Sequence, residues 1–291
     1  MAFRSLFKFS MLTLWLLSMG WLIRYEAFPH WFDSTVQGYR EMSRHLPALR
    51  DSWMKILSEG EHVGYVNNSI EMTEVEGEEQ LQMNTQILLR IRYGGGLELV
   101  RLSNEVQLDA RQNLMGSFST FSLAAMSGSL RLEPVEETRT FEMTVTFNQM
   151  QFSRSITLPP GAVISSPLMD TGLRAVKVGK TIRIRSFDPF SPSGELRTME
   201  VTGVSRERRR FPGQEQEVEV TQVRIRFGDW DLKAEVDEFG RIVYQETPFG
   251  LTFVQSDASV AMKIPQNQAF DPVRLLSGQN LPSLINFPEN L

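Results

Sequence analysis

Cysteine is absent from this chain of 291 residues, and histidine occurs only as His30, His45 and His62. The missing thiols exclude disulfides, thiolate metal sites and cysteine nucleophiles together. The histidines are not spaced for a shared metal, which needs clustered His, Asp or Glu ligands. An excess of positive charge is also missing: the formal net charge is −5, so the body offers nucleic acid no general attraction. Repeats of fixed period and low-complexity tracts are absent. Long apolar runs are absent too, with one exception at the N-terminus.

That exception is Phe9–Ile23 (FSMLTLWLLSMGWLI), uncharged, with Arg4 and Lys8 before it and Arg24 directly after. As a helix it would span about 22 Å, less than the roughly 30 Å hydrocarbon core of a bilayer. The length also suits the apolar region of a cleaved signal peptide. Cleavage needs small residues, however, and the run continues RYEAFPHWF, with bulky Tyr25 two positions before Ala27. An uncleaved signal anchor is expected, its length deficit covered by snorkelling of Lys8 and Arg24. Trp21, Phe28, Trp31 and Phe32 would seat at the interface. Flanking charges scarcely set the orientation, since Arg4 and Lys8 face Arg24 and Arg40. The short basic stub is expected in the cytoplasm. That makes a single-pass protein of the inner, cytoplasmic membrane, with its body facing the periplasm or cell exterior.

The body divides into a polar stalk or linker at 33–52, an antiparallel β domain at 53–265, and an extended, proline-containing tail at 266–291. The anchor and its interface occupy 1–32. The stalk has weak helical spacing at Val36, Tyr39, Met42 and Leu46. From Trp53 the apolar period becomes two, which reads as strands with one buried face. Trp53–Leu57 and Val63–Ile70 flank a hairpin turn at 58–61. Strands are expected over Met83–Ile91, Leu97–Leu108 and Leu114–Leu123, with Gly94-Gly95-Gly96 as a turn. The cleanest alternation is Phe141, Met143, Val145 and Phe147 against Thr140, Glu142, Thr144 and Thr146. After Pro159-Pro160-Gly161 comes a candidate short helix at Ser165–Val176. Further strands are expected at Thr181–Phe187, Leu196–Val204, Val218–Phe227, Leu232–Val236, Ile242–Gln245 and Phe253–Met262. Parity switches between Val218/Val220 and Val223/Ile225/Phe227, predicting a bulge near Thr221. A second short helix is expected at Asp257–Met262. About twelve antiparallel strands make the fold all-β: a large curved sheet, a sandwich or an open barrel after one N-terminal transmembrane helix.

The motifs that could carry chemistry have plainer explanations. Gly179-Lys180-Thr181 resembles the end of a phosphate loop, but position 174, where that loop needs glycine, is arginine. A turn opening a strand is expected instead. Asp229 and Asp231 lack the further oxygens and glycine of a calcium loop. Asp237-Glu238-Phe239-Gly240 is hairpin chemistry. A Ser-His-acid triad can assemble from distant positions, which keeps a hydrolase as an alternative, yet no Gly-x-Ser-x-Gly elbow occurs. No catalytic residue, cofactor or metal is assigned. Two candidate binding features remain. Phe118, Phe121, Phe141 and Phe147, with Phe152 weighed beside them, could line an apolar ligand site, against the alternative of plain core. Arg206, Arg208, Arg209 and Arg210 could form a docking patch for an anionic lipid or acidic partner, against the alternative of a solvated hairpin tip.

Several segments together resemble the uncharacterised all-β extracytoplasmic domain found N-terminal to bacterial transglutaminase-like membrane proteins. They are Trp53 with Gly60 and Val63-Gly64-Tyr65, then Gly116-Ser117-Phe118-Ser119-Thr120-Phe121. Leu158-Pro159-Pro160-Gly161 follows, then Val178-Gly179-Lys180 leading to Phe187-Asp188-Pro189, and Phe249-Gly250-Leu251. These are turn glycines and packing positions over about residues 53–262, so the resemblance carries over no functional residue. It implies an all-β envelope domain. The Cys-His-Asp catalytic domain that follows in such proteins is not expected in a chain without cysteine. A more distant resemblance is to periplasmic lipoprotein carriers, whose curved sheet cups an acyl chain. The expected function is a non-catalytic, membrane-anchored accessory protein of the cell envelope that binds a partner protein or an apolar ligand. A lipid or lipoprotein carrier is the alternative.

Overall fold

A computed structural model describes residues 35–36 and 49–272, apart from 76, 112, 136–138, 159–161, 165–172, 174–175, 188–195, 212–216 and 229. The fold is all-β, one large curved open sheet. Its strands are β1 (Thr35–Val36), β2 (Leu49–Ser58), β3 (Glu61–Val75), β4 (Glu78–Tyr93), β5 (Gly96–Leu108) and β6 (Leu114–Leu123). Then come β7 (Met126–Pro134), β8 (Thr140–Phe147), β9 (Met150–Thr157), β10 (Val163–Ile164) and β11 (Thr181–Phe187). The last are β12 (Leu196–Arg209), β13 (Val218–Phe227), β14 (Trp230–Asp237), β15 (Ile242–Glu246) and β16 (Leu251–Ser256), before the short helix α1 (Ala258–Ala261). From β11 the order is β11-β12-β13-β14-β15-β16-β2-β3-β4-β5-β6-β7-β8-β9, with β10 parallel to β11. Two antiparallel meanders are therefore joined where the last strand, β16, pairs with β2.

Local chemistry explains the meander. Glu59-Gly60 and Gly94-Gly95 both have positive φ at the two central turn positions, the geometry that matches strand twist in two-residue hairpins. Gly179 is likewise left-handed and opens β11, so the phosphate-loop lookalike is a turn before a strand. Asp237 caps its hairpin by accepting from the Phe239 and Arg241 amides, both at 2.9 Å.

Register assigns each side chain to a face. Ile56, Val66, Val106, Ile184, Val201, Val223, Ile225 and Ala234 share the inner face and form the principal core. A second core joins Leu130, Leu132, Phe141 and Met143 of β7 and β8 to Leu158, Ile164 and Phe187. Strands near opposite ends of the order thus meet face to face, and the sheet curls without closing by hydrogen bonds. A third, small core of Phe211, Val220 and Val243 lies on the outer face.

Four expectations need correction. The β domain starts at Leu49, inside the region read as linker, because β2 pairs with β3 as far as Leu49↔Glu71. Strands β7 and β9 are additional to those expected, since serines and an arginine dilute their alternation. The irregularity expected near Thr221 lies on the neighbouring strand, between Gly203 and Ser205. β13 itself runs straight, and its parity switches because Val220 feeds the outer core while Val223 and Ile225 feed the inner one. The tail is not loose at its start: Phe270 is buried, and its backbone bonds Arg90 and Arg92 at 2.9 and 2.8 Å. The helix expected at 257–262 forms as α1. The apolar run 9–23, the tail beyond 272 and most of the helix expected at 165–176 lie outside the described residues. Among the described residues no helix is long and apolar enough to cross a membrane.

Candidate functional site

Strand β8 shows where the inner face stops being core. Along it, Phe141 and Met143 are buried, Val145 is half-buried and Phe147 is 38% exposed. Leu158, Ile164 and Phe187 pack with Phe141 and Met143 in one cluster that does not include Phe147. Cross-strand register then aligns Leu102, Phe121, Gly128, Phe147 and Met150 in one row across β5–β9. Phe152 sits opposite Val145 in the adjacent row. Met150 is 70% and Phe152 56% exposed, so the row ends as an apolar shelf at the margin of the sheet. Contiguous exposed apolar surface of this kind marks ligand or partner sites more often than scattered hydrophobes do.

Gly128 shapes the shelf. It lies between Phe121 and Phe147 in register, and the two rings stack across it with centroids 5.8 Å apart and planes inclined by 26°. A Cβ at Gly128 would collide with the Phe121 ring and meet the Thr146 carbonyl at 2.9 Å. Beside the shelf runs a polar row, Ser52, Asn68, Thr85, Asn104 and Ser119, facing inward on β2–β6. Thr85 Oγ1 donates to Asn68 Oδ1 and Ser119 Oγ to Asn104 Oδ1, both at 2.8 Å. These pairs satisfy groups that would otherwise be costly to enclose.

Of the four phenylalanines singled out from the sequence, the fold brings Phe121 and Phe147 together. Phe141 belongs to the second core. Phe118 points to the opposite face, as its register partner Arg131 does, and the Arg131 guanidinium lies 4.9 Å from its ring centroid. The odd spacing between 118 and 121 carries that information. Met150, Phe152 and Leu102 complete the shelf; Phe152 belongs to the aromatic set read from the sequence, whereas Met150 and Leu102 are revealed only by the register between strands.

The arginine cluster is divided in the same way. Alternation along β12 sends Arg206 and Arg208 to one face and Arg209 to the other, so the guanidiniums do not form a single surface. Arg206 pairs with Glu219 at 3.4 Å, both exposed. Arg209 turns to the outer face, where it bonds Glu207 at 2.8 Å and Glu235 at 2.6 Å. Arg210 follows the end of β12 and is exposed. Glu235 is only 5% exposed, and burial raises its carboxyl above the ordinary range although Arg209 opposes this. Tyr244, its register partner, donates to Glu246 at 2.8 Å, and burial together with that bond raises its phenol.

A groove of 560 Å³ crosses β3–β8, bordered by outer-face Tyr65, Gln86, Arg101, Ser103 and Thr120 and also by Leu102, Phe121 and Gly128 of the shelf row. His62 is held by its surroundings. Its Nε2 lies 2.9 Å from the Gly64 carbonyl, its amide donates to Gln268 at 3.0 Å, and burial lowers its pKa. His30, His45 and Asp229 lie outside the described residues, and Asp231 pairs with Arg224 at 3.6 Å. Among the described residues no group of three or more His, Asp or Glu is placed to hold a metal. Compared with known proteins, the chain matches no family model, no curated protein and no solved structure.

Proposed function

We propose that this is a non-catalytic envelope protein, tethered by its N-terminal apolar run, whose β domain holds an apolar guest on the inner-face shelf. The guest is the acyl chain of a lipid or of a lipid-modified protein. One observation carries the reading: the row Leu102, Phe121, Phe147 and Met150, with Phe152, leaves large apolar side chains open beside an already complete core. An acyl chain buries apolar area without requiring polar partners, and each methylene removed from water contributes about 0.8 kcal/mol. The polar row from Ser52 to Ser119 borders the shelf and would confine the guest to one side of it.

The resemblance to periplasmic lipoprotein carriers supports the same reading, since it implies a curved sheet that cups an acyl chain. The apolar run Phe9–Ile23 supports a membrane tether, which would keep the shelf near its lipid source. Native mass spectrometry of the full chain, gently extracted from membranes, tests the proposal. A stoichiometric lipid-sized adduct, diminished by Phe147→Asp, is the expected result. A copurifying protein with no lipid adduct would instead make this an adaptor for a protein partner and overturn the acyl assignment.

A further inference from the structure

The open sheet ends differently at its two sides. At one, β10 pairs in parallel with β11. At the other, among the described residues, β9 (MQFSRSIT) pairs with β8 alone and is last in the order. An edge strand presents unpaired N–H and C=O groups to any further strand, and proteins commonly blunt it with lysine, proline or a bulge. β9 has none of these, and its register with β8 is unbroken. The tight turn Asn148-Gln149, with Asn148 at φ 52°, makes Phe147 and Met150 a hydrogen-bonded pair. Alternation then points the amides and carbonyls of Gln151, Ser153, Ser155 and Thr157 away from β8. All four of these residues are exposed. Met150, Phe152, Arg154 and Ile156 lie on the inner face, opposite Phe147, Val145, Met143 and Phe141.

We propose that β9 is the contact of a symmetric dimer, in which a second copy adds its own β9 antiparallel to this one. A two-fold axis makes each contact occur twice and sets one residue opposite itself. With Ser153 at the axis, Gln151 pairs with Ser155 of the second copy, so outward-pointing backbone groups meet. Met150 then faces Ile156 of the second copy, and Phe152 faces its Arg154. Polar side chains meet polar ones on the outer face, and apolar ones meet on the inner face. Arg154 reaches the ring of Phe152 as Arg131 already reaches its register partner Phe118, 4.9 Å from the ring centroid. The charge of Arg154 selects this register. An axis at Arg154 would set two guanidiniums opposite each other, and axes at Phe152 or Ser155 would set them against Met150 or Ile156. The strand thus complements itself, which points to a second copy of this chain as the occupant. The apolar margin ending at Met150 and Phe152 is then continued by the inner face of that copy.

Because the chain has no cysteine, single engineered thiols report the register. Hydrogen-bonded antiparallel pairs stand about 5.5 Å apart at Cα, within disulfide reach. In the full chain in detergent, mild oxidation should cross-link Ser153→Cys into a covalent dimer. Gln151→Cys and Ser155→Cys should each cross-link poorly alone and efficiently when mixed. Ser153→Pro removes an outward amide and leaves the bonds to β8, a change that edge strands tolerate. Light scattering should find a dimer for the native chain and a monomer for Ser153→Pro, with thermal melts confirming that the variant is folded. A monomer at every concentration, equal cross-linking of all three single-cysteine variants, or a dimer that survives in folded Ser153→Pro would each overturn the proposal. So would a complex with another protein at this edge, which would assign it to a foreign strand. The delipidated chain should dimerise as well, which separates this test from that of the acyl site.

Discussion

At the scale of single residues, burial and hydrogen bonding make His62 a reporter on the fold. His62 joins the first hairpin to the C-terminal segment through its amide bond to Gln268. Burial depresses its imidazole pKa, Lys55 acts in the same direction, and the bond to the Gly64 carbonyl opposes them. A depressed folded-state value means that the unfolded chain takes up the proton first as the pH falls. The contribution of His62 is therefore whole above about pH 6.5 and is lost as the pH falls through the folded-state value. The stability advantage of the native protein over His62→Gln should shrink on acidification from pH 7.5 to 5. Thermal melts across that range measure it, and an advantage that widened would contradict the sign.

At the scale of elements, the shelf depends on what β7 places beneath two aromatic rings. Gly128→Val should push the Phe121 ring off Phe147 and crowd Thr146. The expected cost is about 1–3 kcal/mol of stability from overpacking, together with loss of the lipid adduct. Chemical denaturation and native mass spectrometry on the same samples measure both. Unchanged adduct in the folded variant would separate the glycine from the site.

Much of this level was legible in the sequence. The alternation of Phe141, Met143, Val145 and Phe147 marks β8 and its buried face, and the Glu59-Gly60 and Gly94-Gly95 turns locate their hairpins. What alternation cannot give is the register between strands or the point where covering segments end. Phe141 and Phe147 share a face and a pattern, yet one is core and the other shelf, because Phe187 and Ile164 arrive from the far end of the sheet. Phe270 was hidden for a related reason: its bridge to Ile91 is isolated, with no period to announce it. The buried Glu235 was hidden because burial of a carboxylate depends on neighbours from β12 and on the outer core, none of them close in sequence.

At the scale of the whole molecule, the two meanders are joined by strand pairing at β16 and β2, and by side-chain packing where the sheet curls upon itself. Leu132 and Phe187 lie in the same buried cluster although their strands stand near opposite ends of the order. Leu132→Ala and Phe187→Ala should each cost about 2–5 kcal/mol. Their joint cost should differ from the sum by more than about 0.5 kcal/mol, since residues sharing a packed cluster couple. Equilibrium denaturation of the double-mutant cycle measures the coupling, and strict additivity would place the two ends of the sheet apart.

The inner face ends in an apolar margin, where Phe147, Met150 and Phe152 stand exposed. Photo-crosslinking tests the central claim most directly, with a diazirine-bearing fatty acid applied to membranes that contain the full chain and adducts mapped by peptide mass spectrometry. The account predicts adducts in peptides containing Leu102, Phe121 and Phe147–Phe152, and their loss in Phe147→Asp. Adducts confined to the apolar run Phe9–Ile23, or shelf adducts that persist in that variant, would contradict it.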